Sequence, residues 1–175
     1  MLNALAAIVT ALHLGADIDG IAESIEQFTG VHRRFEVIGE TGGITVIDDF
    51  AHHPTELTAT LTSAMNMGFK TVWAVFQPHT FSRTFMLLDD FAKALSIPDK
   101  VIISEILPVR ETNTYNIYAE DLCAKIDGSV YRKTFDEITD YVCANAKSGD
   151  LIITLGGGKV YMCANQIFDR LKTMQ

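Results

Sequence analysis

The spacing of apolar residues changes at about residue 34, from the period of a helix to the pattern of short strands. The earlier spacing predicts one helix ended by Gly15 and a second one that is capped by Asp19 and ended near Gly30. Two short amphipathic helices cannot bury both apolar faces against each other, so we expect them to need a partner surface in the next domain or outside this chain. The apolar positions are Leu2, Leu5, Ala6, Ile8, Val9 and Leu12, then Ile21, Ile25 and Phe28.

After residue 34, apolar runs alternate with amphipathic segments. A β-hairpin is predicted around Gly42-Gly43, from Phe35–Glu40 and Ile44–Asp48. Further strands are predicted at Thr71–Phe76, Val101–Leu107, Ser129–Arg132 and Leu151–Leu155, and helices at Pro54–Met67, Arg83–Leu95, Ala119–Ile126, Phe135–Ala146 and Val160–Leu171. Continuous apolar runs between helices indicate strands covered on both faces. We therefore predict an α/β fold: a mostly parallel sheet of about six strands with one antiparallel edge strand and helices on both faces, preceded by a short helical segment.

The composition is that of a globular protein with an acidic surface. A chain of 175 residues, 48% of them hydrophobic, is long enough for one sizeable domain. The net charge of -8 argues against a nucleic-acid partner, because such partners are held by phosphate neutralisation. The apolar runs are too short to span a bilayer, and the first residues do not resemble a signal peptide. The widely spaced Cys123, Cys143 and Cys163 are interpreted as reduced residues of a cytoplasmic protein.

The first polar cluster, Asp48–Glu56, follows a predicted strand at the edge where doubly wound sheets bind ligands. It contains two carboxylates and two imidazoles, which are costly to bury and are not explained by core packing. The simpler interpretation is that Asp48 and Asp49 are solvated loop acids and that His53 or Thr55 caps the next helix. A metal site is not predicted, because adjacent histidines rarely point at the same metal and no other His or Cys has ligand spacing.

The second polar cluster, Gln77–Thr84, follows the strand Thr71–Phe76. Within it, Arg83 is predicted to open the next helix, where a cation opposes the helix macrodipole. Such a residue needs a compensating anion. A bound carboxylate or phosphate would supply it, and so would a nearby aspartate.

The last predicted strand runs into the glycine turn Gly156–Lys159. The backbone N–H groups of such a turn can hold an anion, but a close connection between strand and helix explains the glycines at least as well. The turn matches neither the phosphate-loop pattern nor the dinucleotide-binding pattern. Near the start of the sheet, one of the adjacent Arg33 and Arg34 could reach a phosphate with its fork of donors.

Three segments together resemble one family of ligases. They are Phe28–Glu36, Asp48–Glu56 and Phe76–Thr84, and they have the order and spacing of the UDP-N-acetylmuramate–L-alanine ligases of the Mur ligase family. The opening Leu2–Ala7 is also similar, so the resemblance covers essentially all 175 residues. Three motifs at family-like spacing are far more specific than a single glycine pattern.

The resemblance implies a three-domain enzyme of which this chain is a part. Residues 1–33 resemble the helical end of the central ATP-binding domain and its linker, and residues 34–175 resemble the Rossmann-like, amino-acid-binding C-terminal domain. ATP and Mg²⁺ would be bound mainly by the central domain, whose phosphate loop this chain lacks. We therefore expect the chain alone to be inactive, and we assign no catalytic residue within it. The partners implied are L-alanine, UDP-N-acetylmuramate, ATP and the rest of the same polypeptide, with no nucleic acid and no membrane.

The resemblance also implies roles for particular residues. The reaction is amide synthesis through an acyl phosphate, which the amine of L-alanine attacks. Arg34 would contact the ATP phosphates, Asp49 the ribose hydroxyls, and Phe50 would belong to the same nucleotide site. The amino acid would be surrounded by His52, His79 and Arg83, with Arg83 binding its carboxylate.

This chain departs from the family pattern at a few positions. Phe50 stands where many members have Tyr, Thr80 where many have Arg, and Gly158-Lys159 where Gly-Asp is commoner, so Lys159 receives no role. Two alternatives to the alanine ligase remain: a ligase that attaches a recycled tripeptide to the same sugar, and a non-catalytic binding module of the same fold.

Overall fold

The computed structural model describes residues 2–28 and 30–174 and, at Leu2, only the backbone. Thr29, which belongs to the first motif of the resemblance, lies outside the described residues. The chain divides into two compact units, residues 1–31 and residues 32–175. Arg33, which the sequence places in a linker, is therefore part of the second unit. None of the helices among the described residues combines the length and the apolar composition that crossing a bilayer requires.

The first unit is a pair of helices, α1 (Leu2–His13) and α2 (Ile18–Glu26). The predicted cap of α2 at Asp19 is wrong, because Asp17 has the extended backbone of a cap and accepts a 2.8 Å hydrogen bond from the Gly20 amide. Ile21 alone is buried among the described residues of this unit. The large apolar side chains left exposed are Leu5, Val9, Leu12, Leu14, Ile18, Ile25, Phe28 and Val31.

The second unit contains a six-stranded sheet, in the order β1-β2-β6-β3-β4-β5. The strands are β1 (Glu36–Thr41), β2 (Ile44–Asp49), β3 (Thr71–Phe76), β4 (Lys100–Ile103), β5 (Val130–Tyr131) and β6 (Asp150–Leu155). The edge strand β1 is antiparallel to β2, and every other pair is parallel. The predicted fold class is confirmed.

Helices cover both faces of this sheet. They are α3 (Pro54–Met65), α4 (Phe81–Met86), α5 (Leu88–Leu95), α6 (Ala119–Cys123), α7 (Phe135–Asn145) and α8 (Val160–Thr173). One apolar cluster joins the sheet to α3, α5 and α6, and a second joins it to α7 and α8. Side chains of one strand alternate between the clusters, as Phe76 and Val75 of β3 do, which is why the strand is apolar from Val72 to Phe76.

The single helix predicted for Arg83–Leu95 is wrong. The chain forms two helices that break at Leu87, and the first of them begins at Phe81 after the cap residue Thr80. Since the Thr80 hydroxyl accepts a hydrogen bond from the Arg83 amide, the helix starts earlier than the apolar pattern indicates. Arg83 is therefore the third residue of a six-residue helix and does not open it, although the sequence predicted that it would.

The strand predicted for Val101–Leu107 is also too long. Strand β4 ends at Ile103, although Ile106 is buried. Leu107 instead forms an isolated bridge with His79, which ties the loop after β4 to the segment after β3. Apolar residues in a buried loop cannot be distinguished from a strand by periodicity alone.

Candidate functional site

The register of the parallel strands brings the polar segments together. Leu155 of β6 pairs with Asp49 on one side and with Phe76 on the other. The residues that follow β2, β3 and β6 therefore leave the sheet at the same edge, where open α/β sheets bind their ligands.

Two imidazoles and a glycine form one wall of this edge. The ring centroids of His52 and His79 are 5.7 Å apart. A Cβ atom built on Gly157 would lie 3.4 Å from Cγ of His52 and 3.5 Å from Cδ2 of His79, so any side chain at this position would fill the space beside both rings. The sequence alone interpreted Gly157 only as part of a turn. The His52 ring is fixed by a 2.9 Å hydrogen bond that its Nδ1 donates to the Phe50 carbonyl.

Three buried polar atoms on the segment after β3 have no hydrogen-bond partner. They are Oε1 of Gln77, Nδ1 of His79 and Nη1 of Arg83. Among the described residues the one other such atom is the hydroxyl of Thr139, in α7. Buried polar atoms are nearly always paired, so three unpaired ones within seven residues make this segment a candidate for ligand binding. Gln77 was not among the residues predicted for the site.

The pKa of His79 is lowered from its usual value of 6.5, first by burial and then by the positive charges of Arg83 and His52, while Glu111 opposes the shift. The imidazole is therefore neutral near pH 7. A neutral ring with its proton on Nε2 presents Nδ1 as a hydrogen-bond acceptor. The site thus combines two acceptors, on Gln77 and His79, with a permanent cation on Arg83.

Arg33 is held entirely by the protein. Its Nε atom lies 2.9 Å from Oδ2 of Asp48, and its two terminal nitrogens donate to the carbonyls of Gly158 and Gly156 at 3.0 and 2.9 Å. Asp48 is fully buried and also accepts a 2.6 Å hydrogen bond from Thr154. The interpretation of Asp48 as a solvated loop acid is therefore wrong, and each of the three guanidinium nitrogens of Arg33 already donates to the protein. The carbonyls of the glycine turn face this cation, which supports the structural explanation of the turn.

Arg34 takes no part in the hydrogen bonds that hold Arg33. It is exposed, and its guanidinium lies 5.6 Å from the ring centroid of Phe50. The structure shows no hydrogen bond or ion pair for its side chain among the described residues. Both arginines lie near the Phe50 ring, but the hydrogen bonds and the ion pair belong to Arg33, so Arg34 is the one more available to a ligand.

Asp49 lies beside Arg34 but is almost completely buried. Its two carboxylate oxygens accept hydrogen bonds from the amides of Phe35 and Ala51, at 2.9 and 2.7 Å. Burial raises its pKa, while these amides and the charge of Arg34 act in the opposite direction. Asp49 is not a solvated loop acid either. Both side chains line a groove of about 400 Å³, together with Phe35, Ala59, Thr60, Ser63 and Met67.

His53 caps α3. Its ring accepts a hydrogen bond from the amide of Thr55, and the carboxylate of Glu56 accepts from the amide of His53. Of the two adjacent histidines, only His52 therefore faces the site. Within residues 2–28 and 30–174, no three His, Cys, Asp or Glu side chains are arranged to hold a metal ion. The cysteines are free thiols, and burial raises the pKa of Cys163 to about 12.

Comparison with known proteins places this geometry in context. Residues 33–158 match the family model of the Mur ligase glutamate ligase domain. A UDP-N-acetylmuramate–L-alanine ligase of Acetivibrio thermocellus is 46% identical over 163 residues, which are 91% of this chain and 35% of that protein. The chain thus spans about a third of the length of this relative.

Two solved structures are similar over nearly the whole chain. The UDP-N-acetylmuramate–alanine ligase of Thermotoga maritima superposes with a TM-score of 0.82 at 25% identity, covering 99% of this chain and 38% of that one. A murein peptide ligase of Psychrobacter arcticus gives a TM-score of 0.69 at 28% identity, covering 97% and 36%.

Proposed function

This chain belongs to the Mur ligase family through its glutamate ligase domain, and we propose on that premise that it is the amino-acid-binding part of a UDP-N-acetylmuramate–L-alanine ligase. In the proposed reaction, ATP phosphorylates the muramate carboxylate. The amine of L-alanine then attacks the acyl phosphate, and the tetrahedral intermediate releases phosphate as the amide forms. The curated relatives of that name, at up to 47% identity, support this choice of ligase.

The observation that carries the proposal is the set of unpaired atoms after β3. An α-amino acid presents a carboxylate and an ammonium group a short distance apart. The carboxylate matches the Nη1 donor of Arg83, and the ammonium matches the acceptors Nδ1 of His79 and Oε1 of Gln77. His52 and Gly157 lie beside His79 in this amino-acid subsite.

The neutral state of His79 suits the chemistry of amide formation. Only an uncharged amine can attack an acyl phosphate, so the ammonium group must lose a proton before it reacts. A neutral imidazole accepts a hydrogen bond from the ammonium group, whereas a protonated one would repel it. The remaining contribution of this subsite is positioning, which can supply a large share of the rate enhancement in such reactions.

A nucleotide subsite is proposed beside the amino-acid subsite. Arg34 is the exposed cation for the ATP phosphates, and Asp49 lines the neighbouring groove, where it is proposed to bind the ribose hydroxyls. Phe50 lies between the subsites, because its ring is 5.6 Å from the Arg34 guanidinium and 5.1 Å from the His52 ring. With no hydroxyl of its own, it contributes packing only.

The other parts of the reaction are proposed to come from the rest of a longer polypeptide. Residues 1–33 would be the helical end of a central domain with its linker, and residues 34–175 the C-terminal domain. That central domain would bind the phosphates of ATP and Mg²⁺, and an N-terminal domain would bind UDP-N-acetylmuramate. The exposed apolar side chains of α1 and α2 support this division, since the two helices do not bury each other's apolar faces. With nucleotide substrates of this kind, the ligase would act in the cytoplasm.

A titration of the isotope-labelled chain tests the proposal. L-Alanine is expected to shift the NMR signals of the Arg83 guanidinium and the His79 ring, and to leave those of Arg132 unchanged. The comparison ligand is the tripeptide substrate of the recycling ligases, in which the carboxyl group beside the N-terminal ammonium group is part of a peptide bond. Shifts of Arg83 with the tripeptide alone would favour the recycling ligase, and no shift with millimolar L-alanine would contradict the amino-acid subsite.

A second measurement tests the division of labour. The chain alone, supplied with ATP, Mg²⁺, UDP-N-acetylmuramate and L-alanine, is expected to release no phosphate, because it contains no phosphate-loop motif. Phosphate release that depends on L-alanine would show that this chain carries the complete reaction.

A further inference from the structure

The loop between β4 and α6 is fastened to the segment that carries the amino-acid subsite. The Leu107 amide donates to the Pro78 carbonyl, and the Thr80 amide donates to the Leu107 carbonyl, both at 2.9 Å. Further along, the rings of Phe85 and Tyr115 are 5.2 Å apart. The loop therefore follows α4 from before its first residue to its last turn.

The central contact between them is made by Glu111 and Ser82. One carboxylate oxygen of Glu111 accepts a 2.8 Å hydrogen bond from the Ser82 amide, and the other accepts a 2.5 Å hydrogen bond from the Ser82 hydroxyl. These two bonds lower the pKa of Glu111, so the carboxylate stays charged and the bonds stay charge-assisted. Ser82 is the residue directly before Arg83.

The start of α4 needs such support. Thr80 has φ 68° and ψ 145°, a backbone conformation that a β-branched residue rarely adopts. A strained residue of this kind persists only where the surrounding structure holds it in place. The helix is six residues long, too short to be stable by itself.

We propose that Glu111 is a positioning residue for the amino-acid subsite. Its two bonds to Ser82 fix the start of α4 and thereby place Arg83 and His79 for the incoming amino acid. This inference rests on the proposed function. The bonds also keep the Glu111 carboxylate away from Arg83, which forms no ion pair with any acid in the described part of the chain. Arg83 thus remains free for the carboxylate of the ligand.

The test compares Glu111→Gln, Ser82→Ala, Ser82→Thr and the double variant Ser82→Ala/Glu111→Gln in the whole chain. The first two are each expected to weaken L-alanine binding by about tenfold, because small displacements of binding groups have large effects on affinity. The double variant should lose little more affinity for L-alanine than either single variant, since both single substitutions remove the same contact between Ser82 and Glu111. Ser82→Thr keeps the hydroxyl and should largely restore the affinity. Asp90→Asn is the matched control, an exposed acid of α5 whose side chain makes no hydrogen bond.

Amide hydrogen exchange provides a readout that does not depend on a ligand. In Ser82→Ala and Glu111→Gln, the amides of Thr84–Leu87 should exchange faster while those of Val72–Val75 stay protected. Unchanged exchange in α4 would overturn the proposal, as would additive losses in the double variant or an equal loss in Asp90→Asn. If the unsubstituted chain binds no L-alanine, the proposed function fails, and the exchange rates still decide whether Glu111 holds α4.

Discussion

Arg33 and Asp48 form an ion pair in which the carboxylate is completely buried and Nε and Oδ2 are 2.9 Å apart. Removing the arginine leaves that charge uncompensated inside the protein. Arg33→Ala is therefore expected to lower the free energy of unfolding by about 3–5 kcal/mol, measured by urea denaturation. Arg34→Ala is the neighbouring control and should change it by less than about 0.5 kcal/mol, because the side chain is exposed.

The same pair of variants also distinguishes structure from function. In a ligase that includes the ATP site, Arg34→Ala should raise the Michaelis constant for ATP although the fold is unaffected. Equal destabilisation by both substitutions would show that the two arginines do not differ as their contacts indicate.

Arg83→Ala is expected to weaken the binding of L-alanine without lowering stability, whereas Arg33→Ala is expected to lower stability. A buried guanidinium nitrogen without a partner contributes nothing favourable to the fold, so the melting temperature should not fall. Loss of a charge-assisted contact to the L-alanine carboxylate should cost about 1.5–3 kcal/mol, which is roughly ten- to over a hundredfold in affinity. In a ligase that includes the ATP site, steady-state kinetics of Arg83→Ala should show a raised Michaelis constant for L-alanine and little change in the Michaelis constant for ATP. A similar rise for both substrates would contradict the two separate subsites.

Asp49→Asn tests the proposed ribose contact. The amide has one acceptor oxygen where the carboxylate has two, so one of the backbone amides of Phe35 and Ala51 loses its partner, at a cost of about 1–3 kcal/mol in stability. In addition to this loss of stability, the substitution should lower the affinity for ATP and leave the affinity for L-alanine unchanged. Dideoxy-ATP, which lacks both ribose hydroxyls, is the control ligand. If the substitution weakened it as much as ATP, Asp49 would have only a structural role.

His79 predicts how stability depends on pH. Its pKa in the folded protein is below the usual 6.5, so the unfolded chain binds the proton first as the pH falls. The contribution of the neutral His79 ring to stability is complete above pH 6.5. It is lost progressively as the pH falls below 6.5 towards the lowered pKa. His79→Gln should make the free energy of unfolding less dependent on pH between about 7 and 5.5, where the carboxylates change little. If the free energy of unfolding depended on pH equally in the unsubstituted chain and in His79→Gln, the ring would not be held in its neutral form.

The fold could be predicted because its central strands contain continuous apolar runs. Thr71–Phe76 was predicted with both boundaries correct, since the five residues from Val72 to Phe76 each belong to one of the two apolar clusters. The errors lie where a local contact overrides the pattern. Thr80 starts α4 earlier than the apolar spacing indicates, and Ile106 is a buried apolar residue in the loop after β4.

The candidate site could be predicted only as a set of segments. The motif order identified the strand ends that carry His52, His79 and Arg83. Which of two adjacent arginines turns inward depends on the positive φ of Arg33 and on the buried Asp48, and neither is encoded locally. The contact between Ser82 and Glu111 joins residues 29 positions apart, so no periodicity reveals it.

The central position of β6 has a consequence for the order in which the protein can assemble. This strand pairs with β2 on one side and β3 on the other, and β2 and β3 do not pair with each other. During synthesis the hairpin of β1 and β2 and the pair of β3 and β4 are therefore made first, each with an open edge. The two halves can join only when Asp150–Leu155 has left the ribosome. A nascent or truncated chain that stops before Asp150 contains two separate half-sheets. We expect chaperones to bind them and proteases to cleave them as they do unfolded protein.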